Sequence, residues 1–269
     1  MTLPFLFERE GHVALLSFNR PEKRNAICPE SACRFADAIA EIAADDDIRA
    51  VILTGAGDKA FCSGGDLAQT LPLMSGARAP ETEWDRRLLG DPSINDRMAL
   101  RGIAMHKPII AAVNGDCMAA GMEILLGTDL RVAVPHARFA LPEAARGVIP
   151  FAGALARLSR QIPYAAAMEI MLANVPMTAE DALRHGLINR VVAPDELMAT
   201  ALELAERVSG NAPVSVQQIK ATVLAAQGRP LAEGYALEDE AKAIVMATED
   251  AREGPRAFME KRSPVYRGR

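Results

Sequence analysis

Short apolar runs alternate with amphipathic stretches through the first two thirds of the chain, which is typical of an α/β protein. The runs over residues 3–8 and 12–19 flank Glu10-Gly11 and predict a β-hairpin. Further buried-strand patterns cover residues 49–54, 108–113 and 129–134, and a short last strand ends at Val191-Val192.

Helical spacing is clearest over residues 29–44, where Ala32, Phe35, Ile39 and Ile42 recur on one face. Other helical patterns cover residues 95–105, 153–160, 164–173 and 178–185. After Pro194 the strand signals stop, and helices are predicted over 195–209, 213–226 and 231–261, the last with a break near Gly254-Pro255. We therefore predict a core over residues 1–193 and a helical C-terminal region over residues 194–269.

Residues 68–95 interrupt this alternation. They hold Pro72, Gly76, Pro80 and Gly90 among residues of mixed polarity, and no firm secondary structure is predicted there. We interpret the segment as a mobile surface excursion and a candidate lid.

Composition narrows the class of protein. The chain has 269 residues, half of them apolar, which is enough for one large domain. The net charge of −5 and the lack of a long Lys/Arg block argue against a nucleic-acid partner. We expect a cytoplasmic protein without a membrane span, because the N-terminus lacks a signal-peptide pattern and no apolar run is long enough.

The four cysteines and four histidines give little support for a metal site or a disulfide framework. The cysteines form no CxxC pair, and the histidines are isolated from them and from one another. We therefore expect reduced thiols and no metal.

Residues 113–123 form the most informative stretch. An apolar strand ends at a turn, Asn114-Gly115, and the small residues Ala119-Ala120-Gly121 then open a short helix that carries Glu123. Small side chains let the backbone approach a ligand, and the first N–H groups of a helix lack partners within it. The stretch therefore suits a ligand that develops negative charge.

Gly64-Gly65 offers a second close backbone approach after a buried strand. Taken alone it is equally compatible with an ordinary strand-to-helix turn that Asp66 caps. Two such turns, however, can give one N–H each to a single carbonyl oxygen, as an oxyanion hole requires. The GxGxxA spacing from Gly55 is a weak dinucleotide signal, and Ser63 lacks the flanks of a nucleophile, so we favour neither reading.

Two glutamates stand in apolar company, Glu123 beside Met122 and Ile124, and Glu143 beside Pro142. Each alone is explained as an acid in the first turn of a helix. Together, near the glycine turns, they offer a paired general acid and base whose pKa values burial and proximity would push apart.

Five motifs follow one another along the chain: residues 19–26 (NRPEKRNA), 59–67 (KAFCSGGDL), 112–123 (AVNGDCMAAGME), 139–143 (FALPE) and 258–262 (FMEKR). In their order and spacing the chain resembles the enoyl-CoA hydratase/isomerase (crotonase) family over almost its whole length. No single motif carries the resemblance.

The resemblance implies an α/β fold, a crotonase-type spiral of ββα units with a C-terminal helical trimerisation region. It also implies a homotrimer or a dimer of trimers that acts on an acyl-CoA thioester, with no cofactor because CoA is part of the substrate. By position, Gly65 and Ala120 become the oxyanion-hole donors, and Glu123 and Glu143 the catalytic acids. The substrate-binding positions are Arg24, Ala26, Ser63, Gly65, Asp66, Leu67, Ala119, Pro142, Phe258 and Lys261.

Hydration of a trans-2-enoyl-CoA to a 3-hydroxyacyl-CoA is the function that the two glutamates favour. Alternatives are an enoyl-CoA isomerase or another enolate-forming acyl-CoA lyase, and, outside enzymes, a catalytically silent CoA-binding oligomer. The chain departs from many family members, which have three glycines where it has Ala119-Ala120-Gly121. We expect the methyl group of Ala120 to restrict φ and to narrow the acyl pocket.

Overall fold

The computed structural model describes residues 2–269, so only residue 1 of the predicted core lies outside the described residues. The chain forms two sheets with helices around them. The strands are β1 (Phe5–Glu10), β2 (Val13–Phe18), β3 (Ala50–Gly55), β4 (Ala60–Cys62), β5 (Ile109–Val113), β6 (Asp116–Met118), β7 (Leu130–Ala133), β8 (Arg138–Ala140), β9 (Met177–Thr178) and β10 (Arg190–Val191). The α-helices are α1 (Pro29–Ala44), α2 (Thr70–Met74), α3 (Glu83–Gly90), α4 (Pro92–Met98), α5 (Ala120–Leu125), α6 (Ala154–Gln161), α7 (Tyr164–Leu172), α8 (Ala179–Arg184), α9 (Leu197–Ser209), α10 (Pro213–Ala226), α11 (Leu231–Met246) and α12 (Asp250–Met259).

The larger sheet has the strand order β1-β2-β3-β5-β7-β10. The predicted hairpin is confirmed, because β1 and β2 pair antiparallel around Gly11, whose φ is +56°. The remaining neighbours in this sheet pair in parallel. Strands β3 and β5 are buried along their whole length, which explains their unbroken apolar runs.

The smaller sheet has the order β4-β6-β8-β9, with β8 and β9 antiparallel and the other pairs parallel. The pairs β3-β4, β5-β6 and β7-β8 each place one strand in each sheet before the chain continues into a helical segment. This repeated step is the predicted spiral of ββα units. The α/β fold class is therefore confirmed.

Four phenylalanines join the hairpin, α1 and β4 at one end of the core. Phe5 and Phe35 lie edge to face with ring centroids 5.3 Å apart, and Phe18 stacks on Phe35 at 5.8 Å. Phe61 meets Phe18 edge to face at 6.1 Å. The predicted bounds of α1 are confirmed, and its buried face includes the four apolar positions that predicted it.

Residues 68–95 are not without structure, so that part of the prediction is wrong. They form α2, α3 and the start of α4. Asp85, which is 2% exposed, accepts both η nitrogens of Arg78 and the backbone N–H groups of Glu81 and Thr82, while Thr82 caps α3. Helices this short show too little periodicity to be predicted, and tertiary contacts stabilise them.

Two helix boundaries also differ from the predictions. The helix expected over residues 95–105 is α4, which begins at Pro92 with Asp91 as its side-chain cap and ends at Met98. The break expected at Gly254-Pro255 falls at residues 247–249, and Pro255 lies inside α12. A proline weakens a helix without always ending it, because neighbouring contacts can hold the chain.

The C-terminal helices differ in how they contact the core. Helix α9 buries Leu197, Ala201 and Ala205 and packs against β3 and β5 of the larger sheet. Helices α10 and α11 pack against each other, and α11 has no buried residue. The predicted division at residues 193 and 194 stays a prediction.

Candidate functional site

The ends of three neighbouring parallel strands bring the predicted site residues together. Strands β4, β6 and β8 lie side by side in the smaller sheet. They end at Cys62, Met118 and Ala140, and the chain then continues into the Gly64-Gly65 turn, into Ala119-Ala120 and toward Glu143. Because the carboxyl ends of parallel strands meet at one edge, motifs far apart in sequence become neighbours.

A cavity of about 630 Å³ opens at this edge. Eight of the predicted site residues other than the two glutamates line it: Arg24, Ala26, Ser63, Gly65, Leu67, Ala119, Ala120 and Pro142. Glu123 and Glu143 line it as well. Leu71, Met74, Met98, Val148 and Phe151 add an apolar wall. Leu71 and Met74 belong to α2, so part of the segment 68–95, which the sequence predicted to be a mobile excursion, lines the cavity.

The N–H of Gly65 is free to reach a ligand. Ile27 bridges Gly65 in parallel, donating to Gly64 O at 2.8 Å and accepting from Asp66 N at 2.9 Å. In such a bridge Gly65, the residue between Gly64 and Asp66, directs its own N–H away from Ile27. Within residues 2–269 the Gly65 N–H has no hydrogen-bond acceptor, and Gly65 lines the cavity.

The Ala120 N–H is the second free donor. Ala120 is the first residue of α5, and within the described chain its N–H also lacks an acceptor. The two turns touch, because a β-carbon built on Gly64 would lie 3.3 Å from Ala120 N and 2.6 Å from the β-carbon of Ala119. Position 64 therefore requires glycine, because a side chain would clash with the second turn and because its φ of +95° is one that other residues rarely adopt.

The backbone restriction falls on Ala119 and not on Ala120, which corrects the expectation from the sequence. Ala119 has φ +51° and ψ −126°, a conformation that non-glycine residues rarely adopt. It is held there because its N–H donates to Ala140 O at 2.9 Å and its C=O accepts from Glu123 N at 3.0 Å. This conformation turns the chain from β6 into α5 and leaves the Ala120 N–H unpaired.

Glu123 lies at 3% exposure in α5, and its Oε1 accepts the N–H of Ala152 at 2.7 Å and of Ala154 at 3.2 Å. The pKa of its carboxyl is raised from the ordinary 4.5 to about 7, chiefly by burial and to a smaller extent by the charge of Glu143, while the two N–H bonds oppose the rise. A carboxyl with this pKa changes its protonation state near neutral pH, as a general base or acid must.

Glu143 follows β8 and is 8% exposed. Its Oε2 is buried, and within the described residues it has no hydrogen-bond partner. Burial raises the pKa of this carboxyl as well, against its own backbone N–H and the nearby charge of Arg146. An unpartnered buried oxygen at a cavity wall is an expensive feature that a bound water or substrate can satisfy.

Three predicted binding residues do not line the cavity. The carboxylate of Asp66 instead pairs with Arg20 at 2.8 Å and accepts the N–H groups of Ala68 and Gln69. Asp66 therefore caps the turn that precedes α2, whereas the sequence predicted that it would cap the helix itself. Phe258 and Lys261 lie at the end of α12 and beyond it, and Phe258 is 81% exposed.

Several cavity residues were missed by sequence reasoning. Asp116 and Arg138 belong to strands of three residues, which are too short to show a period. Arg146 and Phe151 follow Glu143 in a segment whose only signal was its glycines. The alternating faces of β6 and β8 could have indicated that Asp116 and Arg138 share a face with Met118 and Ala140.

Among residues 2–269 no group of three or more His, Cys, Asp or Glu residues is arranged to hold a metal ion. No helix in the same range combines the length and the apolar character needed to cross a bilayer.

Known proteins match almost the whole chain. The family model described as enoyl-CoA hydratase/isomerase matches residues 8–269. The chain is 39% identical over 264 residues to the enoyl-CoA hydratase EchA19 of Mycobacterium tuberculosis, covering 98% of this chain and 96% of that protein. It is 36% identical to the (E)-benzylidenesuccinyl-CoA hydratase of Thauera aromatica, covering 99% of this chain and 100% of that protein. The solved enoyl-CoA hydratase of Bacillus anthracis superposes with a TM-score of 0.87 at 31% identity, covering 99% of this chain and 100% of that one.

Proposed function

The chain belongs to the enoyl-CoA hydratase/isomerase family, and from this premise we propose that it adds water to a trans-2-enoyl-CoA and forms a 3-hydroxyacyl-CoA. The observation that carries the proposal is the pairing of Glu123 and Glu143 in one cavity beside two unpaired backbone N–H groups. Hydration needs one group to take a proton from water and another to give a proton to the α-carbon. It also needs donors for the charge on the thioester oxygen.

The N–H groups of Gly65 and Ala120 hold the thioester oxygen in this proposal. As the C3–O bond forms, the π electrons of the double bond move toward that oxygen, and the enolate charge is stabilised by both donors. Loss of one such donor typically costs about 3 kcal/mol of transition-state stabilisation. Because both donors are fixed by backbone geometry, they cost little reorganisation when the charge develops.

Glu123 is the base that takes a proton from the attacking water. Its Oε1 accepts two N–H bonds, which favour the carboxylate, and its Oε2 is left to bind water. Glu143 is the acid, because its buried, unpartnered Oε2 favours the protonated form. Glu143 gives its proton to the α-carbon, so one O–H bond of water breaks while the C3–O and Cα–H bonds form.

The substrate is an acyl-CoA thioester, and no cofactor takes part, since CoA belongs to the substrate. The predicted binding residues that line the cavity are proposed to meet it, and Arg24 and Ala26 are assigned to the CoA end. Phe258 and Lys261, exposed at the end of α12, are proposed to meet CoA in a homotrimer or dimer of trimers. The exposed apolar side chains of α10 and α11, including Ile219, Val223 and Tyr235, support such an assembly.

The proposal is tested with crotonyl-CoA, whose conjugated double bond absorbs light that the hydrated product does not. We expect Glu123→Gln and Glu143→Gln each to lower kcat by at least about a hundredfold. Glu206→Gln on the exposed face of α9 is the control, since it removes the same charge away from the cavity. Full turnover by either cavity variant would refute the mechanism, and a shifted double bond in the product would identify an isomerase.

A further inference from the structure

The turn that holds Glu123 is itself held from behind by Arg157 of α6. Ala152 and Ala154, whose N–H groups bind Glu123 Oε1, lie on either side of Gly153. Gly153 has φ +119°, a left-handed conformation that suits glycine, and its C=O accepts the backbone N–H of Arg157 at 3.0 Å. The carboxylate of the base is therefore placed only as firmly as this turn is.

The guanidinium group of Arg157 joins the turn to two other segments. Nη1 donates to Ala99 O at 2.8 Å, and Nη2 donates to Leu100 O, both just after α4. A β-carbon built on Gly153 would lie 3.2 Å from Nη1, and one built on Gly127 would lie 3.1 Å from it. Gly127 follows the end of α5. The guanidinium group therefore touches the turn, the end of α4 and the end of the helix that carries the base.

The positive charge of Arg157 has no carboxylate in direct contact. Within residues 2–269 its side-chain hydrogen bonds go to backbone carbonyls only. Arg101, which follows α4, and Arg131 of β7 are nearby like charges, whereas Glu123 is the acid that faces it. Arg157 is partly buried and is not one of the described residues that line the substrate cavity. Its charge therefore acts on Glu123 from behind the cavity wall.

Two charged side chains act on Glu123. Burial is the main reason that its pKa rises to about 7, and the charge of Glu143, which follows β8, adds to the rise. The two N–H bonds and the charge of Arg157 oppose it. A buried base needs this opposition, because burial alone would keep the carboxyl protonated at the pH where it must take a proton from water.

We propose that Arg157 is a positioning residue for Glu123, which fixes the Gly153 turn that orients the carboxylate and supplies the positive charge that favours its ionised form. The inference deepens the proposed function and rests on it in taking Glu123 as the base. Arginine suits both tasks, since its planar group can bind two carbonyls at once and keeps its charge when it is buried. Lysine at this position would keep the charge but could not make the same set of contacts.

The kinetic test compares the pH dependence of kcat/KM for crotonyl-CoA in the parent, in Arg157→Gln and in Arg157→Lys. Loss of the cation in Arg157→Gln should move the midpoint of the fall in kcat/KM on the acid side to higher pH, by about one pH unit. Arg157→Lys keeps the cation, so its midpoint should stay at the parent value. Its kcat should still fall about tenfold, because the turn is held less firmly. KM should change little in both variants, since Arg157 lies outside the cavity.

Arg160→Gln is the matched control. Arg160 is an exposed arginine of the same helix, and its side chain bonds to Ala156 O within that helix. We expect this variant to keep the parent kcat and pH profile. An unmoved midpoint in Arg157→Gln, or the parent kcat in Arg157→Lys, overturns the proposal. A purely structural arginine would lower the unfolding free energy when replaced and would move neither of these two quantities.

Amide hydrogen exchange of the full chain tests the turn without turnover. In both Arg157 variants we expect faster exchange in the peptide that contains Ala152 and Ala154, with exchange in β5 unchanged. Equal acceleration in β5 would indicate global destabilisation and would overturn the positioning role. If the parent does not hydrate crotonyl-CoA and the exchange still changes as expected, hydration is refuted and the role of Arg157 stands. Hydration with unchanged exchange refutes the role of Arg157 alone.

Discussion

Replacing Glu123 with Gln should lower kcat at least about a hundredfold and make the protein more stable at neutral and higher pH. Burial raises the pKa of Glu123 from 4.5 to about 7, so the folded state holds this proton more tightly than the unfolded chain does. The stability that comes from the protonated group is fully present below about pH 4.5 and is lost as pH rises through about 7. Above that pH the folded protein contains a buried carboxylate that water would have solvated better.

The size of the effect follows from the pKa. At about 1.4 kcal/mol per pKa unit, the rise from 4.5 to about 7 corresponds to a cost of about 3 kcal/mol at full ionisation. Gln keeps an oxygen that can accept the N–H groups of Ala152 and Ala154, so those bonds are preserved. The variant should therefore gain up to about 3 kcal/mol at about pH 8 and much less at about pH 5.

Urea unfolding of both proteins across this pH range measures the difference in unfolding free energy. Glu206→Gln again controls for the loss of one exposed negative charge. If the difference in unfolding free energy between Glu123→Gln and the parent does not grow with pH, ionisation of Glu123 does not destabilise the fold. The physical basis for its role as base would then be lost. Such a gain in stability with a loss of activity is expected where a catalytic group is buried.

Three further predictions follow from the same structure. The kcat/KM for crotonyl-CoA should fall about tenfold per pH unit below about pH 7, because the base becomes protonated; a profile flat down to about pH 5 would contradict this. Ala119→Gly should raise the unfolding free energy by about 1 kcal/mol by relieving the positive φ, with hydration retained, and a loss of stability would refute the strain. Asp85→Ala should lower the unfolding free energy by about 2 kcal/mol and speed amide hydrogen exchange in α3, because Arg78 and the N–H groups of Glu81 and Thr82 lose their acceptor. Unchanged exchange would refute this role of Asp85.

The sequence by itself determined the hairpin, the long strands of the larger sheet, helix α1 and the candidate chemistry. These features are written in local patterns, because a strand buried on both faces must be apolar throughout and a helix on a sheet must be apolar on one side. The glutamates and the glycine turn were visible for a similar reason. A carboxylate among apolar residues, or two adjacent glycines after a strand, is unusual in any fold.

Only the tertiary structure decided how those pieces meet. The strands of the smaller sheet have two or three residues each and show no period, yet their ends gather Gly65, Ala120 and Glu143 around one cavity. The same holds for Asp116, whose carboxylate pairs with Arg24 and Arg138, residues that lie 92 and 22 positions away in the chain. The local sequence indicates which side of a helix or strand is buried, but it does not indicate which distant element packs against that side. The site depends on this long-range packing.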